Sequence, residues 1–90
     1  MATMERAELE PRIRTMLAEV YREQNNETFD KPLGEDAVLL DLGLDSLGFA
    51  ILVTRLEEEL GYDPFTLSDE SFYPATFGEF VTFYHENAPG

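Results

Sequence analysis

Cysteine is missing from this 90-residue chain, which excludes disulfides, zinc–thiolate sites and cysteine nucleophiles together. Histidine occurs once, as His85 near the C-terminal end. No histidine–acid–serine arrangement and no metal-ligand spacing can be assembled around it, so self-contained catalysis is not expected. Base is scarce: 6 Lys and Arg stand against 19 Asp and Glu, a formal charge of −13. Phosphate backbones and anionic membrane surfaces would repel such a chain, which excludes nucleic acid and membrane as partners. Long apolar runs are also missing. Nothing in the opening MATMERAELE reads as a signal peptide, and no stretch reaches membrane-spanning length. A soluble cytoplasmic protein is the expectation, organised as a single domain over residues 1–90.

What is present is a hydrophobic fraction of 43%, with 7 Phe and 4 Tyr, too rich for a disordered acidic tail. Leu9, Ile13, Met16, Leu17, Val20 and Tyr21 recur at spacings of three and four, one stripe of a first helix. Pro11 lacks an amide proton and belongs in a first turn, so this helix is predicted to begin near Glu10. Asn25-Asn26, Asp30, Pro32, Gly34 and Gly43 punctuate residues 25–45 as a long loop. Its apolar members (Phe29, Leu33, Val38, Leu39, Leu40, Leu42, Leu44) are too many for solvent and should wrap against the helices.

A second helix is predicted from Ser46 to Leu60, capped by Asp45 or Ser46 and stopped by Gly61 and Pro64. At 100° steps Phe49, Leu52, Val53, Leu56 and Leu60 form its core stripe. Leu47, Ala50, Ile51 and Thr54 fall opposite, leaving spare apolar surface where a solvent face would be polar. A short third helix is predicted after Ser68, ending by Tyr73-Pro74. Thr76-Phe77-Gly78-Glu79 is a capping box opening a last helix that buries Phe77, Phe80, Val81 and Tyr84. The fold class is all-α: a small antiparallel four-helix bundle, three main helices and one short, with a long loop between the first two.

The charge is uneven. Residues 35–70 hold ten acids against Arg55 alone, a balance of −9, and this stretch contains the helix with the spare apolar face. Clustered like charge can be a solvated face or a docking surface for basic partners; the coincidence with exposed apolar surface favours docking. The pair Asp41 and Asp45 invites a calcium loop. Such a loop would need Gly at Ser46 and Glu at Leu52, so that reading fails.

At the start of the second helix stands Asp41-Leu42-Gly43-Leu44-Asp45-Ser46-Leu47, followed by a helix ending Leu56-Glu57-Glu58-Glu59-Leu60-Gly61. A serine at the first turn of a helix, after a glycine-bearing turn, presents its hydroxyl outward. A phosphate attached there would meet free amides and the positive dipole end. DLGLDSL in this setting resembles the acyl carrier proteins and their peptidyl-carrier relatives, over almost the whole chain and including the Tyr73-Pro74-Ala75-Thr76 entry to the last helix. The resemblance implies that a phosphopantetheinyl transferase attaches 4′-phosphopantetheine to Ser46 and that acyl or aminoacyl groups ride on its thiol as thioesters. It implies acyl- or aminoacyl-activating ligases, synthases and transferases with basic patches as further partners of a monomeric carrier. Asp41, Asp45, Glu57 and Glu58 are then partner-contacting acids, and Leu47, Ile51 and Thr54 join them on the outer face.

One departure stands out. Gly48, Phe49, Ala50 and Ile51 follow Leu47, and no acid appears until Glu57, where carriers of bulk fatty-acid synthesis usually place acid earlier. This leans toward a specialised fatty-acid, polyketide or peptide-type pathway, and the initial Met suggests a free-standing carrier. Two other readings compete: an acidic helical adaptor binding a basic protein without covalent modification, and a nucleic-acid mimic resting on charge alone. Neither requires a serine in DLGLDSL.

Overall fold

A computed structural model describes residues 5–67 and 74–88. In order along the chain they form α1 (Arg6–Asn25), a 3-10 turn (Leu39–Asp41), α2 (Ser46–Leu60), α3 (Pro64–Leu67) and α4 (Phe77–Glu86). Helix α1 packs against both α2 and α4. Its stripe is the one expected, with Leu9, Ile13, Leu17, Val20 and Tyr21 buried. The helix nonetheless starts a turn earlier than Pro11 suggests. Glu5 and Glu8 make a reciprocal capping box at its N-terminus, and Leu9 is already in the core. Arg6 adds a tether, donating to Thr82 Oγ1 at 3.0 Å, Glu35 Oε1 at 2.7 Å and the Gly78 carbonyl at 3.0 Å. Pro11 is therefore carried inside the helix, the loss of one backbone hydrogen bond offset by capping and burial.

Two glycine-like turns end the long helices. Asn26 closes α1 in the left-handed conformation, its amide donating to the Arg22 carbonyl, and Gly61 closes α2 at φ +88°. The loop between them wraps the bundle through Leu33, Leu39, Leu42 and Leu44, all buried. Val38 and Leu40 do not follow. Val38 forms an isolated bridge with Thr76, and its side chain is left exposed. Leu40 lies within a turn of three-residue period that sends Leu39 and Leu42 inward together, so Leu40 points out.

The loop is also bonded to the start of α4. Leu39 N donates to the Ala75 carbonyl, Phe77 N to the Ala37 carbonyl and Gly78 N to the Glu35 carbonyl. Glycine at 78 permits this approach: a Cβ there would lie 2.9 Å from the Glu35 carbonyl oxygen. Helix α4 opens with the predicted capping box of Thr76 and Glu79 and buries Phe77, Phe80, Val81 and Tyr84, joined by Phe83. His85 sits half-exposed in its last turn.

A short helix lies at Pro64–Leu67, where none was predicted. Asp63 explains the placement: its carboxylate accepts the Phe65 amide at 2.8 Å, and Pro64 occupies the first helical position. Phe65 then packs among Phe80, Phe83 and Tyr84. The predicted helix after Ser68 falls on residues 68–73, outside the described residues.

Candidate functional site

The junction from the loop into α2 is built from two buried leucines and a glycine between them. Leu42 and Leu44 anchor in the core, and Gly43 turns the chain at φ +87°. No other residue fits there. A Cβ would meet the Tyr21 ring at 2.8 Å, besides the cost of a left-handed backbone. Lys31 covers the same turn, its ammonium 5.8 Å from the centroid of the Tyr21 ring and donating to the Asp41 carbonyl at 3.4 Å. The turn delivers Asp45 to the N-cap of α2, where its Oδ1 accepts the Gly48 amide at 2.8 Å. Of the two candidates for the cap, Asp45 takes the role and Ser46 becomes the first helical residue.

Ser46 is exposed there, its hydroxyl not committed to capping. The amides of Ser46 and Leu47 precede any carbonyl of their own helix that could accept them. An anion tethered to the Ser46 oxygen would sit over these amides, at the positive end of a helix of 15 residues. The residues present therefore fit a phosphodiester.

Around Ser46, α2 turns a mixed face outward. Leu47, Ala50, Thr54, Glu57 and Glu58 are exposed, and Leu52 and Leu56 are fully buried. Ile51 departs from the expected free face: it is half-buried and packs against the core cluster. The reason is helical phase. The buried arc runs from Gly48 through Leu52 to Leu56, and this puts Ile51 on one flank and Val53 on the other. Phe49 and Leu60, also expected to face the core, are half-buried on the Val53 side, with Phe49 edge-to-face on Phe80 at 5.3 Å.

The acids divide in the same way. Glu23 and Arg55 form a two-pronged pair joining α1 to α2, which holds the Glu23 carboxyl below its usual range, and Arg12 pairs with Glu59 at 3.2 Å. Asp41, Asp45, Glu57 and Glu58 are in no ion pair among the described residues. The junction thus gathers Ser46, the unpaired acids and exposed Leu47 at one end and along one side of α2.

Leu40 was not singled out from the sequence as a surface residue. The i, i+3 spacing of Leu39 and Leu42 is the signal that separates it from its neighbours.

A family model described as a phosphopantetheine attachment site matches residues 11–74. No curated protein and no solved structure matched the chain. The match spans α1 from Pro11 onward, the loop, the serine-bearing junction, α2 and α3. The chain belongs to the phosphopantetheine-attachment family, carriers that hold a covalent 4′-phosphopantetheine on a serine and are not themselves enzymes.

Proposed function

We propose that Ser46 is the attachment residue and that the chain is an acyl carrier delivering thioester-bound intermediates to partner enzymes. The observation that carries this reading is the exposed Ser46 hydroxyl at the first position of α2, left free because Asp45 does the capping. When attached, the arm supplies a thiol, a group this cysteine-free chain lacks. The protein's own residues would hold the arm's base: Gly43 sets the turn, Asp45 fixes the first turn of α2, and the first amides would receive the phosphate.

The unpaired acids Asp41, Asp45, Glu57 and Glu58, with Leu47, Ile51 and Thr54, form the face offered to basic partner enzymes. These partners comprise the phosphopantetheinyl transferase and the ligases, synthases or transferases that load and use the cargo. The lack of acid between Leu47 and Glu57 favours a specialised fatty-acid, polyketide or peptide-type pathway. The carrier works as a cytoplasmic monomer. No helix among the described residues is long and apolar enough to cross a membrane.

Intact mass spectrometry of protein from its native source, with fragmentation to release the arm, tests the reading. A phosphopantetheine-sized adduct mapping to Ser46 is the expected result, and its cargo identifies the pathway. An adduct mapping to Ser68 or Ser71, or no adduct at all, overturns the assignment.

A further inference from the structure

Leu40 is the anomaly of this molecule. It is 89% exposed, while Leu33, Leu39, Leu42 and Leu44 of the same loop are buried. Its backbone is not loose. The flanking Leu39 and Leu42 are locked in the core, Leu39 N donates to the Ala75 carbonyl, and Asp41 N and Leu42 N close the 3-10 turn onto Val38 and Leu39. A leucine held outward on a fixed backbone loses little freedom on being covered, the property of a preorganised binding anchor.

Charge decides what covers it. Asp41 follows Leu40 directly and Asp36 lies four residues before it, neither in an ion pair among the described residues, within a stretch of ten acids against one base. A second copy of the chain, carrying the same −13, would meet its own charge, and an anionic membrane would repel it as well. The occupant that fits is a basic protein surface bearing an apolar pocket.

Position narrows this to an enzyme acting at Ser46. Ser46 is six positions along the chain from Leu40, a span of at most about 20 Å, shortened further by the 3-10 turn. A standard footprint of about 800 Å² per partner is about 30 Å across, so an enzyme seated on Ser46 can reach both. We infer that Leu40 is a docking anchor for the phosphopantetheinyl transferase that loads this chain, an inference that rests on the Ser46 reading. Leu47, 63% exposed and next to the serine, is the second apolar contact.

The test is steady-state loading of the purified full chain by a phosphopantetheinyl transferase with coenzyme A as donor, read by intact mass. Leu40→Ala should raise KM for the carrier about tenfold and leave kcat within about twofold, because the anchor binds and touches no reacting atom. Leu40→Met should restore the wild-type KM. Leu40→Glu should behave like Leu40→Ala, although its added negative charge would favour a basic enzyme. All three should melt with the wild type, since Leu40 packs on nothing.

Equal KM for wild type and Leu40→Ala overturns the anchor and leaves the Ser46 reading standing. A fall in kcat at constant KM overturns it too. So does a wild-type dimer that Leu40→Ala dissolves, which would make a second copy the occupant. A wild-type chain that accepts no arm from the transferase defeats the Ser46 reading, and this inference with it.

Discussion

The Asp45 carboxylate accepts the Gly48 amide at 2.8 Å, so the residue before the serine, and not the serine, caps α2. The two jobs of this junction are thereby separated. Asp45 holds the helix start, and Ser46 keeps an uncommitted hydroxyl. Ser46→Ala should fold as the wild type does, within about 0.5 kcal/mol, and accept no phosphopantetheine. Asp45→Ala should instead lose about 1 kcal/mol, the usual cost of a missing N-cap. Chemical denaturation and a loading assay on both variants check the pair.

Position on α2 decides the cost of a carboxylate. Leu52 is wholly buried, so Leu52→Glu should unfold the domain or cost several kcal/mol. Exposed Leu47 should tolerate Glu within about 0.5 kcal/mol while binding to partner enzymes weakens. Ile51→Glu should fall between them because Ile51 packs on the edge of the core. Three melting curves settle the order. If Ile51→Glu melts with the wild type, the half-buried placement is wrong.

Gly48 and Gly78 are both buried, yet they should respond differently to alanine. At Gly78 the new methyl would sit 2.9 Å from the Glu35 carbonyl, which is tied by its bond from the Gly78 amide. Nothing there can give cheaply, and about 1–3 kcal/mol should be lost. At Gly48 the worst contact is with the end of the Gln24 side chain, which can swing aside. Gly48→Ala should be near neutral, since up to about 1 kcal/mol of helix propensity is gained.

The Tyr84 hydroxyl is buried and has no hydrogen-bond partner among the described residues. Burial pushes its pKa well up, and Asp63, Tyr62 and Glu57 add to the rise. The neutral form is thus favoured in the folded state. Its stabilising contribution is complete below the unfolded value near 10 and is lost as the pH climbs above it. Tyr84→Phe removes the unpaired hydroxyl, so stability near neutral pH should hold or rise by up to about 1 kcal/mol. Alkaline unfolding should move to higher pH in that variant. A stability loss in Tyr84→Phe would reveal a partner for the hydroxyl.

Salt should stabilise this fold. Raising ionic strength from about 0.01 M to 0.15 M shortens the screening length from about 30 Å to 8 Å. That weakens the exposed Arg55–Glu23 and Arg12–Glu59 pairs slightly, since surface pairs contribute little. It relieves repulsion among the unpaired acids of residues 35–70 far more. The melting temperature should rise over this range, and a flat or falling one would show that repulsion does not limit stability.

Local chemistry alone determined much of this protein. The stripe of α1, the bounds of α2, the capping box at Thr76 and the exposed serine of DLGLDSL follow from side-chain periodicity and helix-end chemistry, which act over a few residues. Tertiary structure decided the rest, because the deciding contacts lie far apart in the chain. Arg6 reaches Glu35, Gly78 and Thr82, and with the Glu5–Glu8 box it starts α1 ahead of Pro11. Burial of Leu52 and Leu56 against the other helices sets the phase that draws Ile51 to the edge of the core. Composition places seven apolar residues in the loop before Ser46, but only the bonds from Leu39 and Phe77 across to the opposite segment fix which of them turn inward. Leu40 was left outside by that pairing, and the i, i+3 spacing of Leu39 and Leu42 assigns it outward only because those bonds form the 3-10 turn there.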